Sequence, residues 1–481
     1  MKSSLRWPLI GALWIAEMAG SFESAMILSA LGAMIAEFRD PALVGWLVTA
    51  FLIVGAAVAA IIGRLGDLYG RRRVLMLALA FAAAGSIISA LSTSFTMLLV
   101  GRIMQGVTGA VLPLCVGIVR ENVDKRDAPM TIGLMISGAS IGTAAGLVLG
   151  GLIVDQIAWR GIFWASAGFC IAGLIAIAAL VPPSSPGRPS VAPDWFSGLL
   201  FAPGVVLILL YISNIKSWGW TSAHALGTLF AGVGLVAWWW RQSLRSPNPL
   251  VDIRAFANRT VAIGAAVTAL VSMSTLQITV VFSALLQAPQ WTAIGLGLSA
   301  TAAGLVKLPS NLTSTFAGPL GGWLAGRGGG RLAMVAGGLV TMAGWAMAWL
   351  DTSTVFIVVV ELIVISFGAT MLFSVAPTLV AQAAPVDRVS EMSGLLTVVR
   401  QLFLGIGAQI VATLLASEMV TQGDLHYPAP DAYRLVLGYI ICICLAAIFV
   451  SLALPKTQVV ARAAGAEAPD ANADPRTGPP A

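Results

Sequence analysis

Six charged side chains fall inside long apolar runs of this 481-residue chain: Glu17, Glu23, Arg102, Lys307, Glu361 and Arg400. A charge in hydrocarbon is costly unless it faces water or a partner, so each is a candidate for function by default. A carboxyl group in a partly dry cavity can take up and release a proton near neutrality. Glu23 is the first candidate for that role and Glu17 the second. They are six residues apart, about 600° of helix, so they point roughly 120° away from each other. The other reading of Glu23 is a structural acid paired with Arg102. Both histidines, His224 and His426, fall in expected loops, which makes imidazole a poor proton carrier here. Lys307 and Glu361 lie at similar expected depths, where an intramembrane ion pair would relieve both charges. Arg400 either faces a cavity or snorkels toward the surface.

Three further patterns carry chemistry. Residues 63–73 read Gly-Arg-Leu-Gly-Asp-Leu-Tyr-Gly-Arg-Arg-Arg between two apolar runs. Gly63 and Gly70 suit a tight turn, and Asp67 sits where a second helix could meet its carboxylate. The run Arg102-Ile-Met-Gln105-Gly106-Val-Thr-Gly109-Ala110 places an arginine, an amide and two glycines on a fourth span. Gly138, Gly142, Gly146 and Gly150 recur every four residues on the fifth span, followed by Gly151. Four residues advance about 400°, so the first four form one smooth stripe for a neighbouring helix.

The elements that must position these residues are membrane spans. Of the chain, 58% is hydrophobic and only 10% charged, against about 25% charged in a soluble domain. A span needs about 20 apolar residues. Cutting at charged and Pro/Gly-rich punctuation leaves fourteen runs, in a pattern of six, two and six. An all-α polytopic membrane protein is expected, with a six-helix bundle over 1–181 and an inserted pair with linkers over 182–259. A second six-helix bundle follows over 260–455, and a disordered tail over 456–481. Twenty Lys and Arg residues fall on the side of both termini and four on the other, which places the termini in the cytoplasm. This distribution accounts for the net charge of +6 without nucleic acid. Cys115, Cys170, Cys442 and Cys444 all lie in apolar runs, so buried thiols are expected rather than a disulfide framework or a metal site.

The hinge at 63–73 resembles the loop signature of the major facilitator superfamily. The order Arg102-x-x-Gln105-Gly106-x-x-Gly109 is similar to that family's fourth-span motif. The fifth-span glycines, with Trp159-Arg160 and Phe163-Trp164, resemble its antiporter signature, although Leu147 stands where the pattern has proline. Phe22-Glu23-Ser24-Ala25-Met26-Ile27 resembles a drug-antiporter pattern with glutamate in place of aspartate. Gly322-Trp-Leu324-Ala-Gly326-Arg327 with Arg331 resembles a degenerate second hinge, with glycine in the aspartate's place. Arg400-Gln401 with Gly405 and Gly407 resembles the penultimate-span pattern of fourteen-span drug antiporters.

The resemblance implies a drug:proton antiporter of the fourteen-span branch, monomeric and multi-pass in the cell membrane. By resemblance, Gly63, Asp67, Gly70 and Arg71 latch the cytoplasmic side, with Asp67 pairing with arginines and with the N-terminus of a helix from the other half, while Glu23, Arg102 and Glu17 serve proton coupling. Lys307, Glu361 and Arg400 are candidates for the second-half cavity. The substrate is expected to be a lipophilic or cationic small molecule. No enzyme activity, cofactor or metal is expected, and the chain lacks Gly-x-x-x-x-Gly-Lys-Ser/Thr, so the energy source would be the proton gradient. A symporter importing an organic solute is the alternative.

Overall fold

The structure is a computed structural model that describes residues 7–39, 41–184, 194–219, 221–422 and 425–455. The expected tail at 456–481 and part of the linker before the inserted pair lie outside the described residues. In chain order the first helices are α1 (Trp7–Phe38), α2 (Pro41–Tyr69), α3 (Arg71–Ala90), α4 (Phe95–Asn122), α5 (Ala128–Gln156) and α6 (Gly161–Leu180). Next come α7 (Trp195–Trp218) and α8 (Ala223–Arg245). The last are α9 (Arg259–Gln287), α10 in two pieces (Ala300–Val306 and Leu308–Gly328), α11 (Gly330–Leu350), α12 (Val355–Ala383), α13 (Val389–Leu415) and α14 (Pro430–Leu452). Among the described residues, eleven helices are long and apolar enough to cross a membrane; α1, α7 and α10 are not among them.

Local chemistry starts and stops these helices. Ser94, Ser222 and Thr354 accept backbone N–H bonds at the starts of α4, α8 and α12, satisfying donors that the first turn leaves free. Three helices are interrupted: α4 tightens into a 3-10 turn over Gly106–Ala110, α9 breaks at Ser274, and α10 breaks at Lys307 just before Pro309. Between α13 and α14 lies a hairpin that the all-helical expectation lacked. Its strands β1 (Met419–Gln422) and β2 (Leu425–Pro428) pair antiparallel, and Tyr427 meets Trp291 edge-on with centroids 5.7 Å apart.

The hinge differs from the expected loop. α2 runs through Gly63 and Asp67 to Tyr69, and only Gly70, at φ 98°, separates it from α3. That left-handed backbone is one that glycine adopts without a Cβ penalty. Gly63 has a different task. A Cβ there would run into the backbone of Ser390 on α13, so the glycine permits contact between helices rather than a turn. The degenerate hinge has the same layout: Gly329, at φ 84°, separates α10 from α11, seven residues after Gly322.

Helices α1–α6 pack among themselves, as do α9–α14. The two groups meet mainly along α2 against α13 and α5 against α10, with α13 also touching α4 and α12 touching α5. The inserted helices α7 and α8 pair with each other, and α7 also rests on both α2 and α13.

Candidate functional site

The fifth-span glycines build the wall of the site. Cβ atoms at Gly138, Gly142, Gly146 and Gly150 would meet Trp14, Met18, Phe22 and Met26 of α1, so α1 lies directly on α5. Gly151 is not part of this stripe and faces open space. The helix is unbroken through Gly146-Leu147, whose carbonyl at Leu147 accepts a bond of 2.9 Å from Ser29. Gly106 and Gly109 do for α4 what the stripe does for α5, admitting Phe51, Val54 and Gly55 of α2.

This packing fixes the two acids of α1 in different places. Glu23 is 0% exposed, inside the α1–α6 group. Its Oε1 accepts from Ser166 at 2.7 Å and from Ser86 at 2.9 Å, with the Cys170 thiol at 3.4 Å. Gln105 Nε2 donates to Ser86 Oγ at 2.6 Å, and Gln105 Oε1 accepts from Arg102 Nη1 at 2.7 Å. Arg102 thus reaches the carboxylate through an amide and a hydroxyl. Its own direct contact with Glu23 is to the backbone carbonyl, at 3.3 Å, and its guanidinium lies 4.4 Å from the Phe51 ring centroid. The direct Glu23–Arg102 carboxylate pair considered from the sequence is not formed among the described residues: Arg102 Nε and Nη1 turn to Gln105 and two carbonyls, and Nη2 has no hydrogen-bond partner.

Glu17 lies elsewhere. It lines a cavity of ≈ 330 Å³ between the two groups, with Arg400 of α13 on the same cavity. Ser21, Ser140, Thr143, Thr268, Asn311 and Thr397 supply hydroxyls and an amide, while Leu112, Val116 and Phe373 supply apolar wall. Arg400 therefore faces the cavity. Lys307 and Glu361, the other second-half candidates, do not line it, and they do not pair. The break at Lys307 turns its ammonium toward α9, where Nζ donates to Ser283 Oγ at 2.6 Å and Thr279 O at 3.3 Å. Glu361 is 0% exposed on α12, between Val358 and Leu362 of an apolar cluster.

Beneath the cavity, the hinge end is closed by charge. Asp67 is 4% exposed. Its Oδ1 accepts from Arg71 Nε at 2.8 Å, and its Oδ2 accepts from the Glu391 amide at 3.0 Å. The Ser390 amide adds a bond of 3.3 Å to Oδ1. Both amides belong to the first turn of α13, the positive end of that helix. Arg71 also donates to Ser390 Oγ at 3.1 Å and Gly117 O at 3.3 Å. Next to this group is a second one. Arg64 donates to Asn248 Oδ1 at 3.0 Å and Asp387 O at 3.0 Å, and lies 3.5 Å from Glu391. Arg388 donates to the same Asn248 oxygen at 3.0 Å and lies 3.3 Å from both Asp252 and Glu391. Asn248 and Asp252 belong to the segment joining α8 to α9, so the inserted pair is tied into the closure.

On the other seam there is no carboxylate at the matching place. A Cβ on Gly322 would strike the Pro129 carbonyl, and Gly133 and Gly318 pack backbone to backbone. Gly326, in the aspartate's place, lies against Pro129 and Arg126. Sequence reasoning missed Ser86, Ser166, Arg64, Asn248, Arg388 and Glu391. The signal available was weak: Glu391 and Arg388 flank an expected span, and Arg64 sits inside the hinge motif.

The family model described as Major Facilitator Superfamily matches residues 13–408 of this chain. The chain belongs to the Major Facilitator Superfamily. It is a multi-pass integral membrane protein. The chain is 28% identical to the multidrug resistance protein Stp of Mycobacterium tuberculosis, over 82% of this chain and 74% of that one. It is 25% identical to the tetracenomycin C resistance and export protein of Streptomyces glaucescens, over 89% and 78%. At 30% identity, it spans only 46% to 58% of the length of other MFS-type relatives. The crystal structure of the human organic anion transporter MFSD10 has the same fold, with a TM-score of 0.67 at 14% identity, covering 93% of this chain and 100% of that one.

Proposed function

We propose that this chain is a proton-driven exporter of amphipathic small molecules, in the manner of the fourteen-span drug antiporters, with α1, α7 and α10 completing the eleven apolar helices. The observation behind the reading is a charged cavity between two helix groups, sealed at one end by Asp67 on the first turn of α13. An arrangement closed at one end and polar within suits alternating access, and we read it as the outward-facing state. The excess of Lys and Arg on the hinge side supports cytoplasmic termini in the cell membrane. The relatives named for resistance and export support the direction.

Glu23 is the proton site in this reading. Its Oε2 has no hydrogen-bond partner among the described residues, so a proton can add there while Ser86 and Ser166 keep their bonds to Oε1. Arg102 then responds through Gln105 and Ser86. The proton gradient supplies the energy, and one chain supplies both helix groups, so a monomer suffices. One observation favours import by symport instead: α5 is unbroken where the antiporter pattern has its proline.

The test is accumulation of ethidium in energised cells before and after an uncoupler. Cells expressing the protein should hold less dye than controls while energised, and the difference should vanish on uncoupling. Greater accumulation in energised cells would mean import, and an uncoupler-insensitive difference would remove the proton from the mechanism.

A further inference from the structure

The cavity holds an acid and a base that the protein itself does not satisfy. Glu23 and Asp67 each have several donors. Glu17 and Arg400 have none: among the described residues, their one mutual influence is the attraction of opposite charges. Glu17 is 8% exposed, and that exposure is to the cavity. The two belong to different helix groups, Glu17 to α1 and Arg400 to α13, so the cavity is bipolar from side to side. A charge withdrawn from water requires compensation, and donors or acceptors held open on a cavity wall recognise a ligand.

The charges restrict the ligand. A lipophilic cation would satisfy Glu17 while bringing its charge toward Arg400, and a simple anion would do the reverse. We propose that the preferred substrate is amphoteric, with an anionic oxygen group such as a carboxylate or acidic phenol for Arg400 and a cationic nitrogen for Glu17. The planar guanidinium suits a carboxylate through two parallel bonds. The remaining lining of hydroxyls and apolar wall accepts a ring system, and ≈ 330 Å³ lies at the small end of the about 300–1,000 Å³ typical of ligand pockets. This assignment rests on the transporter reading above, with the cavity as substrate site. It separates the two acids of α1: Glu17 recognises the substrate and Glu23 takes the proton.

The experiment is equilibrium binding to the purified full chain in lipid nanodiscs, with no gradient present, read by fluorescence anisotropy. The probes are a rhodamine with a free carboxylate and the methyl ester of the same dye, which share one cationic ring system. The wild type should bind the carboxylate dye about tenfold more tightly than the ester, the scale of one charge-assisted bond. Arg400→Gln should bring the two dyes to equal affinity, Arg400→Lys should keep part of the preference, and Glu17→Gln should weaken both. Variants are compared only where melting temperature and monodispersity match the wild type, and the two arginine replacements give independent chances of that. Equal or tighter binding of the ester by the wild type overturns the proposal. So does an unchanged preference in Arg400→Gln, or a monodisperse wild type that binds neither dye. Because no gradient is used, a protein that binds with this preference yet fails to export would refute the export reading alone.

Discussion

Glu17 and Glu23 show how little sequence distance means once a helix is buried. Six residues apart, one lines the cavity and the other sits among Ser86, Ser166 and Cys170. Glu23→Gln removes the titratable charge at nearly constant volume and keeps an oxygen for the two serines. Gradient-driven transport should be abolished while the protein still inserts, and proteoliposome uptake with and without an imposed pH step would show it. Full gradient-driven transport by that variant would move the coupling elsewhere. The acids and Arg102 were legible in sequence because a charge stands out in an apolar run. Their partners were not. Serine and threonine in a membrane helix usually bond to a carbonyl one turn back, as Thr268 does at 2.8 Å, so a serine that binds a carboxylate looks the same in sequence. The expected Lys307–Glu361 pair failed because matching depth says nothing about azimuth, and the break before Pro309 turns Lys307 toward Ser283.

At the scale of elements, the closure is asymmetric. The α2–α13 seam combines close glycine packing with buried charge, whereas the α5–α10 seam uses backbone contact at Gly133, Gly318 and Gly322. Asp67→Asn keeps the volume but replaces charge-assisted bonds with weaker neutral ones and turns a donor toward the α13 amides. Such bonds contribute about 1.5–3 kcal/mol each, so the sealed state should lose population by roughly 10- to 100-fold relative to the open one. Cysteines placed at the hinge end should be labelled correspondingly faster, and unchanged labelling would count against a latch. The motif itself was legible, including the aspartate's helix-end partner, but its shape was not. Glycines next to arginines read as a loop. The helix in fact continues to Tyr69, because α13, Asn248 and Glu391 offer partners to the polar side chains that a loop would have left to water.

Across the whole molecule, the inserted pair is more than an appendage. Its exit segment places one amide oxygen, that of Asn248, between two arginines, Arg64 of α2 and Arg388 just before α13. Asn248→Leu would leave Arg64 and Arg388 short of that acceptor. A destabilisation of about 1–3 kcal/mol is expected, with a lower melting temperature and faster labelling at the hinge end. A variant with unchanged melting and labelling would show the segment to be a passive strap. Hydropathy predicts a six-two-six division because each run must be long enough to cross, and eleven of the described helices meet that length and apolarity. Where the extra two helices dock could not be read, since lipid-facing and protein-facing apolar surfaces have the same composition.

That docking has a consequence for traffic from the membrane. With α7 resting on both α2 and α13, that flank of the cavity is roofed by protein rather than lipid. A solute dissolved among the acyl chains on that side would meet α7 before it met the seam between α2 and α13. On the opposite seam, it would meet the close backbone contacts of Gly133, Gly318 and Gly322 at the hinge end.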